Sequence, residues 1–157
     1  SSGPLRLGAL NIGIQDKATN RLVVAGKTGC VVVRHAMMTD GNPAVEFQVP
    51  ENGYQNDGYL GLPGDSGFYA NKAYLTNAKI IIDITRVAHD TEWKEYVLAR
   101  SPTWEGLQID TGKIEVVAPP DGKCKYQVVY LNPASHTAEK KLSIKVKFYK
   151  GLMLIVR

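Results

Sequence analysis

The sequence predicts an all-β fold: an antiparallel β-sandwich, jelly-roll-like, of about nine or ten strands with at most one short helix. Three observations carry this. Apolar residues recur with a period of two in segment after segment, as in strands with one buried and one wet face. Gly, Pro, Asn and Asp cluster between those segments every 8 to 15 residues, as turns do. No strand–helix–strand rhythm is present, so a helix-covered parallel sheet is not expected.

Taken in order, Pro4 to Gln15 reads as a first strand with Leu10, Ile12 and Ile14 on one face. A polar turn leads into Arg21 to Ala25, and Gly26-Lys-Thr-Gly29 turns the chain into Cys30 to Met38. Thr39-Asp-Gly-Asn-Pro43 is a strong turn cluster, after which Val45, Phe47 and Val49 alternate inward. From Pro50 to Lys72 the chain becomes rich in Gly, Asn, Asp and Tyr, and a loop this long in a compact domain is functional or mobile. Ala78 to Val87 restores the strand pattern with Ile80, Ile82 and Ile84 inward, which leaves Asp83 on the exposed face. Asp90 to Arg100 fits a helix, with Asp90 as N-cap and Trp93, Tyr96, Val97 and Arg100 at helical spacing; a strand starting at Trp93 fits equally. Leu107 to Ile109 and Ile114 to Val117 are short strands across Asp110-Thr-Gly112.

The C-terminal segment is the most regular. Tyr126 to Leu131 is rich in β-branched and aromatic residues. From Leu142, Leu142, Ile144, Val146 and Phe148 point one way and Ser143, Lys145, Lys147 and Tyr149 the other. Lys150-Gly151 reads as a bulge or bend. Leu152 to Val156 beyond it is apolar on both faces, which asks for a covering layer or a second subunit. Lys123 to Arg157 holds eight basic residues and one acidic, net +7, in a chain whose net charge is +4. Lys140, Lys141, Lys145 and Lys147 form the basic face. Lysines of this kind discourage edge-to-edge pairing of sheets; with one arginine and no aromatic interleaving beyond Tyr149, the nucleic-acid signal is weak.

At 157 residues and 44% hydrophobic content, the chain is long enough to form a single domain, 1–157, with its own core. No apolar run approaches the roughly 18 to 20 residues that cross a bilayer, so no membrane insertion is expected. Cys30 and Cys124 read as reduced, small hydrophobes in preference to a disulfide. His35, His89 and His136 lie far apart and no Cys-x-x-Cys or His-Glu-x-x-His spacing occurs, so neither a metal nor another cofactor is expected.

Pro63-Gly-Asp-Ser-Gly67 contains the string that surrounds the nucleophile of chymotrypsin-like proteases. Only thirty residues separate Ser66 from the nearest upstream histidine, His35. A serine placed this early cannot belong to the second of two barrels, and the string is equally a turn. Enzymatic activity is not expected. The stronger binding candidate is the loop from Asn52 to Tyr74, which holds four of the eight tyrosines. Tyr54, Tyr59 and Tyr69, with Gln55, Asn56, Asp57 and Asp65, combine flat aromatic faces with short polar groups. That combination suits a sugar ring or a protein surface.

The strand count, the long irregular insertion and the basic final strand resemble viral structural β-sandwiches, namely capsid jelly rolls and adenovirus-type fibre heads. Ser2-Gly-Pro-Leu-Arg-Leu-Gly-Ala-Leu-Asn-Ile12 is similar to the Gly-Pro-Leu repeats of adenovirus-type fibre shafts. The resemblance implies a non-enzymatic structural or attachment protein of the virion, a homo-oligomer that binds a glycan or protein receptor. The alternative is a carbohydrate-binding module or lectin that uses loop 52–74.

Overall fold

The computed structural model describes residues 5–12, 21–38, 43–55, 64–102, 106–133 and 139–149, with side chains given outside 5–12 and 33–38. These residues form eleven strands: β1 (Leu5–Ile12), β2 (Arg21–Val24), β3 (Val31–Met38), β4 (Ala44–Gln48), β5 (Phe68–Leu75), β6 (Lys79–Asp83), β7 (Lys94–Ser101), β8 (Gln108–Ile109), β9 (Ile114–Val117), β10 (Cys124–Leu131) and β11 (Lys140–Phe148). One 3₁₀ turn, Thr111–Lys113, precedes β9. The all-β expectation is met.

The strands fall into two sheets. The larger has the order β1-β3-β5-β7-β11-β10, with β8 also beside β5, and the smaller has the order β2-β4-β6-β9. From β1 to β7 the chain winds between them, leaving one strand in the large sheet and the next in the small one, and after the short β8 it returns to the small sheet as β9. Parallel neighbours cannot be joined by a tight hairpin and need a crossover; here the crossover is a strand of the opposite sheet. Successive large-sheet strands are 26, 37 and 31 residues apart, from Leu5 to Val31, to Phe68 and to Ala99. In the small sheet Arg21 pairs with Ala44, Ala44 with Lys79, and Ile80 with Ile114. Only the C-terminal pair breaks the pattern, with β11 antiparallel to both β7 and β10.

The expected antiparallel, jelly-roll-like order is therefore corrected: the strand order is mixed and most pairings are parallel. Period-two alternation is the same in both kinds of sheet, and the turn clusters that resembled hairpins carry the chain from one sheet to the other. A second correction concerns the expected long loop, Pro50 to Lys72, because β5 begins inside it at Phe68. Its inward positions include the small residues Ala70 and Ala73, and Asn71 and Lys72 interrupt its pattern. The ambiguous Asp90 to Arg100 segment resolves as β7. Lys150-Gly151 and Leu152 to Val156 lie outside the described residues.

Both sheets contribute to one hydrophobic cluster. Val45, Phe47, Ile80 and Ile82 come from the small sheet, and Phe68, Ala70, Leu98, Leu142 and Ile144 from the large one. At about 25 cal/mol per Å² of apolar area removed from water, this shared layer is the main stabilising contribution. Its continuity explains why sheets that exchange no strand pairing stay together.

A register shift shapes the face opposite the core. Leu142 pairs with Ala99, but the next residue, Ser143, pairs with Val97, so Leu98 of β7 has no opposite number on β11. Leu98 and Ala99 are both buried as a result, and the side-chain alternation reverses across them. Beyond this bulge Arg100 and Lys141 pair outward, while Lys140 and Ser101 pair on the inner side. Bulges of this kind re-aim side chains in antiparallel pairs.

Candidate functional site

The outer face of the large sheet, at the end where β7 begins, gathers the most chemistry. Trp93 sits immediately before β7 with its indole 49% exposed. Its segment is pinned from behind: the Asp90 N–H donates to the Ala88 carbonyl at 2.9 Å, and the Phe148 N–H donates to the Asp90 carbonyl at 2.8 Å. The His89 ring stacks on Phe148 with centroids 4.2 Å apart. Trp93, Glu95, Gln127 and Lys145 together line a pocket of about 290 Å³. The last three form one row across the sheet, because Lys145 is paired with Glu95 on one side and Gln127 on the other.

Glu95 is held in place and held ionised. Its carboxylate accepts from the Ser143 hydroxyl at 2.8 Å and from the Lys141 ammonium at 3.4 Å. Partial burial pushes its pKa up, but the Ser143 hydrogen bond and the charges of Lys141 and Lys145 outweigh that, and the net direction is downward. The pocket thus offers a flat aromatic surface, a fixed anionic acceptor, an amide and a cation.

Next to it runs a row of lysines. Lys125 pairs directly across the sheet with Lys147, and Lys145 lies two residues from Lys147 on the same face. Among the described residues none of the three has an acidic side chain within ion-pair distance. The Lys125 ammonium lies 5.6 Å from the centroid of the half-exposed Tyr149 ring, a cation–π distance.

The expected basic face is only partly realised. Lys145 and Lys147 belong to it, and Lys141 is tied to Glu95. Lys140 does not belong: it is 6% exposed, and burial lowers its pKa. Its position in the alternation of β11, on the same side as Leu142 and Ile144, already places it on the inner face. Trp93 was missed as a site residue because its helical spacing with Tyr96 and Val97 masked the strand face it shares with Lys145.

The tyrosine loop is not brought together as one surface among the described residues. Tyr54 is corrected from a ligand face to a core residue: it is 2% exposed, and its hydroxyl lies 2.8 Å from the Val24 carbonyl and 3.1 Å from the Gln48 carbonyl, donating between them. Its ring meets Phe47 edge-on, and burial drives its pKa far upward. Gln55 is exposed and donates its backbone N–H to the Lys27 carbonyl at 2.6 Å. Asp65 accepts from Nε and Nη2 of the Arg100 guanidinium, both at 2.8 Å, and Glu139 accepts from its Nη1. Tyr69, half-buried, lies beside Arg100 in the register. Asn56, Asp57 and Tyr59 lie outside the described residues.

Ser66 is fully buried, so its turn does not present a nucleophile to solvent. Among the described residues no group of three or more His, Cys, Asp or Glu is placed to hold a metal, Cys30 and Cys124 are both free, and no helix is long and apolar enough to cross a membrane. A second pocket, of about 300 Å³, opens between β9 and β10 and is lined by Thr111, Ile114, Val116, Tyr126, Val128 and Tyr130. Comparison with protein-family models, with curated proteins and with solved structures finds no match for the chain.

Proposed function

We propose that this chain is a non-enzymatic attachment domain, of the kind found in viral structural proteins, that binds a glycan on the outer face of its larger sheet. In this reading the two sheets pack as a sandwich, the domain works as a homo-oligomer, and its place is the virion surface. The observation that carries the glycan reading is the half-exposed indole of Trp93 beside Glu95, Gln127 and Lys145. A sugar ring presents an apolar C–H face to an aromatic plane and hydroxyls at its rim to acceptors and donors. Trp93 supplies the plane, Glu95 accepts, Lys145 donates and Gln127 does both.

The site supports binding better than turnover. Glycoside hydrolysis uses two carboxyl groups flanking the bond, one of them with a raised pKa, and this pocket holds one carboxylate whose pKa is lowered. The test is a glycan array probed with the whole chain and with Trp93→Ala. Removing the indole should weaken every hit by about tenfold, a loss of about 1.4 kcal/mol, which lies in the range of an aromatic contact. Unchanged binding by the variant, or an array without hits, would end the proposal.

A further inference from the structure

We infer that the saccharide recognised at this face is acidic, carrying sulfate or carboxylate groups, and that Lys125, Lys145 and Lys147 bind those groups beside the Trp93 pocket. This rests on the glycan reading above and adds the charge of the ligand. The physical argument is the cost of the lysine row to the free protein. Directly opposite residues on adjacent antiparallel strands have Cβ atoms only about 5 Å apart, and like charges there are destabilising. Lys125 and Lys147 are such a pair. Lys145 follows about 7 Å along β11 from Lys147; its charge acts on Glu95 across the strand pair, but among the described residues none of the three has an acidic side chain within ion-pair distance. An anion laid across the row would remove the repulsion and meet three donors at once.

Two further features favour a saccharide over a nucleic acid. Lysine is a point charge, whereas the planar arginine fork that matches phosphate bidentately is absent from the row; among the described side chains of this face, the arginine Arg100 is already held by Asp65 and Glu139. Glu95, at the head of the row, would repel a continuous phosphate backbone but can accept sugar hydroxyls. Its contact ion pair is with Lys141, so the ammonium groups of Lys125, Lys145 and Lys147 are not held in ion pairs with it.

The test is calorimetric titration of the whole chain with four probes: a heparin hexasaccharide, a hyaluronan hexasaccharide, neutral cellohexaose and a thymidine 20-mer. The inference expects at least one acidic hexasaccharide to bind tenfold or more tighter than cellohexaose at 50 mM salt, with the difference shrinking at 300 mM as the charges are screened. Lys147→Gln should lose at least fivefold for the acidic probe and nothing for the neutral one. The same variant, without ligand, should melt at a higher temperature than the parent chain, because one charge of the opposed pair is gone. Equal affinity for acidic and neutral probes, or a Lys147→Gln variant that binds the acidic probe unchanged, overturns the inference while the glycan reading stands. Tighter binding of the thymidine 20-mer than of either acidic saccharide overturns it in favour of nucleic acid. No binding of any saccharide removes both.

Discussion

Tyr54 and Gly67 occupy space that holds no further carbon. A Cβ placed on Gly67 would stand 2.9 Å from two atoms of the Tyr54 ring, and the ring is fixed by its hydroxyl against two carbonyls. Gly67 also anchors the chain on both sides: its N–H donates to the Leu98 carbonyl and its carbonyl accepts from the Val31 N–H, both at 2.9 Å. Gly67→Ala should therefore destabilise the fold by about 1–3 kcal/mol, the usual cost of overpacking, read as a drop in the denaturant midpoint at constant slope. The glycine was visible in the sequence as part of a turn, but the reason for it was not. A tyrosine thirteen positions earlier closes over it, and a contact of that kind leaves no periodic trace. Tyr54 itself followed the same logic, since a loop tyrosine whose hydroxyl finds buried acceptors becomes core.

Among the elements, the turn that leaves β6 has the clearest dependence on pH. The Asp83 carboxylate accepts from the Thr85 N–H at 2.9 Å, the Thr85 hydroxyl at 2.6 Å and the Arg86 guanidinium at 3.0 Å. Burial pulls its pKa up, but these hydrogen bonds and the Arg86 charge outweigh it, so the net direction is downward. A carboxylate whose folded pKa lies below its unfolded value contributes stability that is complete above about pH 4 and is lost as the pH falls through the folded pKa. Thermal melts from pH 6 to pH 2 should show Asp83→Asn less stable than the parent at neutral pH, with the gap closing in acid. An undiminished gap at pH 2 would remove the ionic account. The sequence reading placed Asp83 on the face away from the core, as it is, but gave it no role, because its partners follow it by two and three residues in a turn that a strand pattern does not describe. β6 also contained an unread signal. Its three consecutive buried isoleucines, Ile80 to Ile82, are what a strand covered on both faces contains, and they spoke for parallel pairing.

For the whole molecule, the apolar surface collects at the β9–β10 end. Val117, Tyr126 and Leu131 are exposed there, and β10 carries only one charged residue, Lys125, so this edge strand has little of the charge that normally prevents edge pairing. If the proposed oligomer forms through this edge, sedimentation at about 10 μM should give a mass above one chain, and the double variant Tyr126→Lys, Leu131→Lys should return it to one. A monomeric parent chain at that concentration would refute the oligomer. The winding of the chain was the least legible property of all. Circuits of 26, 37 and 31 residues between successive large-sheet partners share no period, so no repeat betrays them, although most strands other than β5 and β7 were individually marked. That same winding sets the order of assembly. The β10–β11 pair closes across a loop of eight residues, from Leu131 to Lys140, whereas each parallel pairing must first bring together segments more than twenty residues apart. Because closing a longer loop costs more entropy and non-local pairing slows folding, the C-terminal hairpin should form early and alone. Translation produces it after β1 to β9, so those strands leave the ribosome before the one part of the sheet that closes over a short loop.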